Sequence, residues 1–491
     1  MKTPSQGRLL VGRVANGAAT GLGHLVRTAA LCDSWCEQGG RAVLFVDQLD
    51  PTLAPLVGRA ELLTASSGDA GEQLRAMGLE DTPHVVVIDG YRFDDRCVDA
   101  FVAEVLGSND VGGNRPIIVS IDDHDQAGRR NVDIAVDPNV AAGRADVSVP
   151  VSLHGPSFAL LRPEFAAAVR DDAVERVGPL VIALGGSTAS NGSTALAHFS
   201  KVMAESMLLM GHRPPELADV PRLDRAESPV GAMANAPVAI AAAGGTALEL
   251  ACLGTPAVLV SIADNQVPVT KALGQAGAAV DLGRLADLDG ARLVSAVVDL
   301  LGDRERREAM SKAGRALVDG RGARRCLAHI DAASIVTRPV DLEDAAMLLA
   351  WRNDATTRSS SFDSDVIDLD QHLAWIDRRL QDPDSFLYVG RVGDDDIGHV
   401  RFQRSPGGHA VIGVVIAPHA RGRRLATPLI LAGLRACFAE SGVQRVEALI
   451  KADNAASITA FTLAGFHPGV ENGDHDPGVK VLHYERTDRW V

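Results

Sequence analysis

The chain has 491 residues, 46% hydrophobic and 23% charged, and carries a formal net charge of −15. That balance excludes wholesale disorder, and at ~150 residues per domain it predicts roughly three domains. An acidic chain with no long basic tract also lacks the surface for nonspecific nucleic-acid binding, although local loops can still hold an anionic ligand.

Aromatic residues are only 4% of the chain, while 48 glycines occur without a repeat. Small aliphatic side chains must therefore do most of the packing. The glycines predict the many strand-to-helix turns of an α/β fold. The N-terminal stretch has no apolar segment of the signal-peptide type. Arg8 to Val14 reads as a strand, Gly17 to Gly23 as a Gly-rich loop, and His24 to about Gln38 as a helix. Ala42 to Val46, His84 to Asp89 and Pro116 to Asp122 are further apolar runs, the last two ending in acids. Continuous apolar strands alternating with helices predict a parallel sheet covered on both faces.

The pattern then repeats. Pro179 to Leu184, Val238 to Ala242 and Ala257 to Ile262 read as strands. The most apolar stretch, Pro237 to Ile262, contains Glu249, Gly244-Gly245 and Gly254-Thr255-Pro256, and so reads as strand, helix and strand, not as a membrane span. Asp303 to Leu317 is a charged amphipathic helix. From about Ile335 the order changes. Helices at Asp341 to Asn353 and Asp370 to Gln381 precede strands at Phe386–Val392, Ile397–Gln403 and Ala410–Ile416, and Arg445–Ile450 is a later strand. The expected organisation is α/β: two Rossmann-like lobes, 1–160 and 161–330, then an α+β domain, 335–491. Cys32, Cys36, Cys97, Cys252, Cys326 and Cys437 are too dispersed for a disulfide scaffold or a metal set, which fits a cytoplasmic protein.

Three places carry chemistry. In the first, Gly21-Leu22-Gly23-His24 and Arg27 follow a strand and open a helix. Glycines let backbone approach a ligand, and a helix start offers free N–H groups to an anion. A helix start also disfavours a charged imidazole, and a neutral one is what a general base needs. His24 is read either as that base or as a plain helix-start residue. In the second, Gly244-Gly245-Thr246 and Glu249 lie between strand and helix. The N–H groups of Gly245 and Thr246 suit a diphosphate, and Glu249 suits ribose hydroxyls or, as an acid of the first turn, simply its own helix. Asn265 and Gln266 follow the next strand at the same edge. In the third, a strand through Val415 leads to Arg421-Gly422-Arg423-Arg424-Leu425-Ala426 and a helix. That loop suits a pyrophosphate, or is a solvated basic helix start.

Residues 8–330 resemble the UDP-sugar hydrolases of pseudaminic acid biosynthesis, a GT-B-like family. The resemblance rests on Gly21-Leu22-Gly23-His24 with Arg27, Ile88-Asp89-Gly90-Tyr91, Ile121-Asp122-Asp123 and Asp137-Pro138-Asn139. It continues through Ala159 to Phe165, Leu184-Gly185-Gly186-Ser187, Gly244 to Gly254 and Ala263-Asp264-Asn265-Gln266. It implies that His24 activates water against the anomeric carbon and that UDP leaves. Gly21, Gly23 and Arg27 would contact the substrate, Gly245, Thr246 and Glu249 would hold the nucleotide, Asn265 and Gln266 would face sugar or phosphate, and Asp89 and Tyr91 would support from the first lobe, without a metal. The family often has an acid two residues after the first-strand arginine, whereas here Arg13 is followed by Val14-Ala15.

Residues from about 335 to 487 resemble the GNAT acetyltransferases, through the Arg421–Ala426 loop, Asn454-Ala455-Ala456-Ser457 and Ala464-Gly465-Phe466. Trp351-Arg352-Asn353-Asp354 and His372-Leu373-Ala374-Trp375 resemble the branch that acetylates the 4-amino group of a UDP-linked deoxy sugar. The resemblance implies acetyl-CoA as cosubstrate. Backbone near Val415 would pair with pantetheine, the 421–426 loop would hold pyrophosphate, and Asn454 would lie near the cofactor. Arg424 stands where the family has glycine, and Phe461 where a tyrosine often serves as general acid. The expected function is hydrolysis of a UDP-2,4-diacetamido-2,4,6-trideoxyhexose joined to N-acetylation of a UDP-amino-deoxy sugar. The alternatives are a GT-B glycosyltransferase, and a C-terminal domain that only binds acyl-CoA.

Overall fold

The computed structural model describes residues 8–17, 22–65, 70–79, 83–107, 115–123, 126–129, 131–140, 149–169, 175–185, 193–203, 207–211, 213–223, 228–468 and 478–486. Gly21, Gly186 and Ser187 lie outside them. Among the described residues, no helix is long and apolar enough to cross a membrane.

The first sheet contains β1 (Leu9–Val14), β2 (Arg41–Val46), β3 (Glu61–Thr64), β4 (Val85–Asp89), β5 (Ile117–Ile121), β6 (Ile134–Asp137) and β7 (Val151–His154). Its order is β3-β2-β1-β4-β5-β6-β7, and the pairs from β3 through β6 are parallel. Leu10, Val11, Val43, Leu44, Val85, Val86 and Val87 are fully enclosed, as strands covered on both faces require. Chain order reverses between β1 and β4. In open parallel sheets a ligand docks outside the carboxyl ends of the strands at such a reversal.

The second sheet contains β8 (Leu180–Ala183), β9 (Met207–Met210), β10 (Ala239–Ala242), β11 (Ala257–Ser261) and β12 (Val280–Arg284). It is parallel, in the order β12-β11-β10-β8-β9, and reverses between β8 and β10. One of its faces is built largely from alanines, including Ala239, Ala241, Ala247 and Ala251, against Phe165 and Met233. Small residues let helices come close: a Cβ at Gly314 would sit 2.9 Å from the carbonyl oxygen of Ala251.

The third sheet contains β13 (Val336–Pro339), β14 (Ser385–Val392), β15 (Asp395–Ser405), β16 (His409–Ile416), β17 (Arg445–Lys451), β18 (His467–Pro468) and β19 (Val479–Glu485). Its order is β13-β14-β15-β16-β17-β19-β18. Every pair is antiparallel except β16 with β17. Strands β1–β6 and β8–β12 belong to one compact unit and β13–β19 to another, dividing between Ala323 and Arg324. The helix expected over 341–353 is a 3-10 turn, Leu342–Asp344, followed by the α-helix Ala345–Asn353. Asp341 caps that turn in a capping box with Asp344, which fixes where the helical segment begins.

Gly254 ends the helix Gly245–Leu253 at φ 64°, in the left-handed region. A Cβ there would collide with the side chains of Arg315 and Ser311. Gly254→Ala is expected to destabilise by ~1–2 kcal/mol from backbone strain alone. Thermal unfolding should report it as a lowered midpoint.

Candidate functional site

The helix Gly23–Cys36 begins at the β1/β4 reversal, with no side-chain cap on its first turn. His24, Arg27 and Thr28 stand at i, i+3 and i+4, so they share one face, and all three reach Asp89, the last residue of β4. His24 Nδ1 lies 2.7 Å from Asp89 Oδ1. Arg27 donates through Nε (2.8 Å) and Nη2 (2.7 Å) to the two oxygens of the same carboxylate, and Thr28 Oγ1 donates at 2.8 Å. Asp89 is wholly buried. Burial opposes its charge, but the Arg27 guanidinium and the hydrogen bonds from Arg27 and His24 outweigh it and hold the carboxyl well below the usual range. An ionised carboxylate only accepts, so Nδ1 of His24 carries the hydrogen. In the neutral ring the lone pair is therefore on Nε2, and among the described residues none bonds that atom.

Asp123 forms a second layer. Arg27 Nη1 donates to both its oxygens (2.7 and 2.6 Å), Asn139 Nδ2 donates at 2.6 Å, and Tyr91 Oη donates at 2.5 Å. The Tyr91 ring meets His24 edge-on, with centroids 4.7 Å apart. Burial, then the Asp123 charge, push the phenol far above its usual range, so its O–H stays intact and committed to Asp123. All three guanidinium nitrogens of Arg27 are thus engaged by protein carboxylates, through four of its five N–H groups, which ties Arg27 into the frame around His24.

The motifs holding Asp123 and Asn139 were legible, but no role had been read for either. The available signal was position: each lies two residues past the carboxyl end of a strand, β5 and β6. Arg129 had no signal at all. It is buried and donates to the carbonyls of Gly90 (2.8 Å), Phe93 (2.9 Å) and Ile121 (2.8 Å), fixing the loop that carries Tyr91. Where the first-strand loop lacks an acid, Asp47 at the end of β2 pairs with Arg13 at 2.5 Å and with Arg92. A cavity of about 270 Å³ lined by Phe45, Ile88, Phe93 and Phe101 lies in the same lobe, but none of the His24 cluster lines it.

In the second sheet, Gly244 precedes the helix Gly245–Leu253, which has no side-chain cap, and Gly244 and Gly245 are exposed. Thr246 is half-buried beside them. Gln266 is close by: its Nε2 lies 3.9 Å from where a Cβ of Gly244 would be, and its Oε1 accepts from the Ile262 N–H at 3.0 Å. Asn265 is exposed on the 3-10 turn Asp264–Gln266. Glu249 lies in the second turn of its helix, not the first as expected, because the helix starts at Gly245. The dipole acts within the first turn, so its favour for an acid does not extend to Glu249. Burial instead raises the carboxyl to about 7, against the pull of Arg162 and with the help of Glu164.

In the third sheet, β16 pairs with β17 only from His409 to Ile412, so Gly413 to Ile416 leave that partner. Val415 lies in this parted half and pairs with His399 on its other side. The helix Ala426–Glu440 follows, with Leu425 as its uncapped first boundary, so its leading N–H groups are open to an anion. Arg421 is held by Asp354 (2.5 Å) and Thr357 (2.7 Å), and Arg423 by Asp395 (2.8 Å), so both are anchored by acids, while Arg423 Nε is buried without a partner. Arg424 is exposed at φ 59°, the glycine-like conformation of the position, at a cost of roughly 1–2 kcal/mol. Gly422 also has positive φ, 75°. Asn454 caps the helix Ala455–Leu463 by accepting from the Ser457 N–H at 3.1 Å. Phe461 is buried edge-on against Phe466, so the ring that replaces tyrosine belongs to the core.

Residues 335–467 match the family model described as acetyltransferase (GNAT) domain. The C-terminal domain is a GNAT acetyltransferase domain. Among curated proteins, the spore coat polysaccharide biosynthesis protein SpsG of Bacillus subtilis is 28% identical over 190 residues, 34% of this chain and 54% of that one. The UDP-N-acetylglucosamine–N-acetylmuramyl-(pentapeptide) pyrophosphoryl-undecaprenol N-acetylglucosamine transferase of Salinibacter ruber is 46% identical over 89 residues, 17% of this chain and 24% of that one. The chain therefore spans about half the length of the first relative and a quarter of the second. Among solved structures, aminoglycoside acetyltransferase AAC(6')-Ib in complex with coenzyme A matches at 19% identity, covering 32% of this chain and 96% of that one, with a TM-score of 0.28. Spermidine N-acetyltransferase from Vibrio cholerae in complex with CoA and spermine matches at 17% identity, covering 32% and 98%, with a TM-score of 0.29.

Two pH effects follow. The folded carboxyl of Asp89 is depressed, so its stabilisation is complete above the unfolded value near pH ~4 and is lost as pH falls below it. Wild type should lose thermal midpoint more steeply below pH ~4 than Asp89→Asn, which is already destabilised at neutral pH by the loss of the charged fork to Arg27. Glu249 has the opposite sign. With its folded value raised to about 7, its charge costs stability above the unfolded value near pH ~4.3. Glu249→Gln should raise the midpoint at pH 8 and leave it unchanged at pH 4.

Proposed function

We propose that this chain is a two-activity enzyme of nucleotide-sugar metabolism in the cytoplasm. Its C-terminal domain transfers acetyl from acetyl-CoA to an amino group of a UDP-amino-deoxy sugar. Its N-terminal module hydrolyses a UDP-2,4-diacetamido-2,4,6-trideoxyhexose to free sugar and UDP. The observation that carries the hydrolytic half is the His24–Asp89 pair at the β1/β4 reversal, where the carboxylate fixes the ring tautomer and leaves Nε2 as acceptor.

In that reading a water gives its proton to Nε2 as its oxygen bonds to the anomeric carbon. The bond from that carbon to the diphosphate oxygen breaks, and UDP leaves with the electron pair. The Gly245 and Thr246 N–H groups hold the diphosphate, Glu249 accepts from ribose hydroxyls, and Asn265 and Gln266 face the sugar or phosphate. Asp89 and Tyr91 hold His24 in place. No metal is needed for any of these steps. In the C-terminal domain, backbone near Val415 pairs with pantetheine, and the loop Arg421–Ala426 holds the pyrophosphate through its N–H groups and Arg424. Asn454 orders the adjoining helix. The names of the two curated relatives, one of polysaccharide biosynthesis and one of N-acetylglucosamine transfer, support a sugar substrate. The two reactions are consecutive, so joining them raises the local concentration of the shared intermediate.

The transferase relative also favours a second reading, a glycosyltransferase using the same donor half-site. The two differ in acceptor dependence. With the diacetamido sugar nucleotide alone, wild type is expected to release UDP and free sugar by mass spectrometry. UDP appearing only after a sugar acceptor is added would establish the transferase. His24→Ala should lower hydrolysis by roughly 100-fold or more while acetyl transfer continues unchanged.

A further inference from the structure

One face of β15 carries His399, Arg401 and Gln403 at alternating positions. Around them stand Trp351 and Arg352 from the helix Ala345–Asn353, and His372, Trp375 and Arg379 from the helix Leu369–Gln381. Trp375 is flanked by two guanidiniums, with Arg379 and Arg401 each 5.8 Å from its ring centroid. His372 stacks on Trp375 at 5.6 Å, and His399 lies parallel to Trp351 at 6.4 Å.

This cluster is rich in positive charge, with Arg352 Nη2 donating to the Asp363 carbonyl at 2.8 Å. Among the described residues no carboxylate bonds Arg379 or Arg401, and the charges acting on Arg401 are Arg379 and Arg352. Two buried histidines have ring nitrogens with no partner, His372 Nε2 and His399 Nδ1, and Arg352 Nη1 is likewise buried without one. Asp382, which accepts from Gln403 Nε2 at 3.1 Å, is the acid whose charge faces Arg379, while Arg401 meets only the like charges of Arg379 and Arg352, a repulsion that an anion relieves. The cluster opens to a cavity of about 170 Å³ lined by Arg379, Ser385, Arg401, Gln403 and Gly413. Arg401 lines that cavity and is exposed to solvent. Gly413 makes this possible, since a Cβ there would come within 2.6 Å of Arg401 Nε. Gly413 is also the first residue of β16 beyond its pairing with β17, so the cavity reaches the point where the strands part.

We propose that Arg401, lying across Gly413 beside Arg379 and Trp375, forms an anion site that holds the diphosphate of the acetyl acceptor. The site rests on the reading of the acceptor as a nucleotide sugar. It selects against cationic amines such as polyamines, which the three arginines repel, and it makes Arg401 a specificity-determining residue of acetyl transfer.

The test uses the full chain. Acetyl transfer to a UDP-amino-deoxy sugar is compared with transfer to the same amino sugar without nucleotide and to spermidine. Arg401→Met is expected to raise KM for the nucleotide acceptor by roughly 10–100-fold, as for loss of a charged hydrogen bond, with KM for acetyl-CoA within twofold. Arg401→Lys should fall between. Equal kcat/KM for the nucleotide-free sugar or spermidine in wild type, or an unchanged acceptor KM in Arg401→Met, overturns the site while leaving acetyl transfer to sugar nucleotides intact. A second readout does not need turnover. UDP titration should change tryptophan fluorescence in wild type, and Trp375→Phe and Arg401→Met should each remove that component. If no sugar nucleotide is acetylated, the functional reading fails, and this titration alone decides the site: no Trp375-dependent change overturns it.

Discussion

The N-terminal module is organised around one buried carboxylate. Asp89 ends β4 inside the sheet, where an isolated charge would be untenable. Arg27 meets it with a two-point fork, and the rest of the arrangement follows from that pairing. The helix starting at Gly23 must present Arg27 toward β4, which places His24, one turn earlier, on the same carboxylate. The third guanidinium nitrogen reaches Asp123, which in turn holds Tyr91 against the His24 ring. Removing Asp89 would therefore not delete one contact. It would leave Arg27 with Asp123 as its one remaining acid and free the imidazole to rotate.

The same logic separates what binds from what positions. Arg27 looked from sequence like a ligand contact because it follows a Gly-rich loop. Asp89 and Asp123 take four of its five N–H groups and so fix it in the frame around His24. Arg421 and Arg423 are parallel cases in the C-terminal domain, tied to Asp354 and Asp395, while the backbone of the loop and Arg424 stay available. An acid that claims an arginine through some of its five N–H groups fixes where the remaining ones can point. That information is spatial, because Asp354 is 67 residues from Arg421.

Much of the architecture was legible because period and punctuation carry it. Apolar runs such as the VVVID of β4 gave strands within a residue or two of the observed bounds. Glycines marked the turns at Gly23, Gly244 and Gly422. What was not legible depended on offsets of one or two residues or on distant partners. Glu249 moved from the first to the second turn because its helix starts at Gly245, and that small offset replaces dipole stabilisation with a costly half-buried charge. Arg129 binds three carbonyls, two on one loop and one at the end of β5, and no local pattern encodes such a partner set.

The C-terminal domain shows how a departure from pattern acquires meaning only in three dimensions. Arg424 occupies a glycine-like backbone conformation, so the position retains its shape at the cost of strain, and the side chain it adds is exposed beside the helix start. Phe461 places no proton donor, yet its ring completes a core contact with Phe466. If tyrosine is absent there, the departing thiolate takes its proton from solvent or another group, and acceptor positioning must carry more of the rate. A cluster that grips the acceptor through its charge, beside the point where β16 leaves β17, is the kind of positioning that such a site requires.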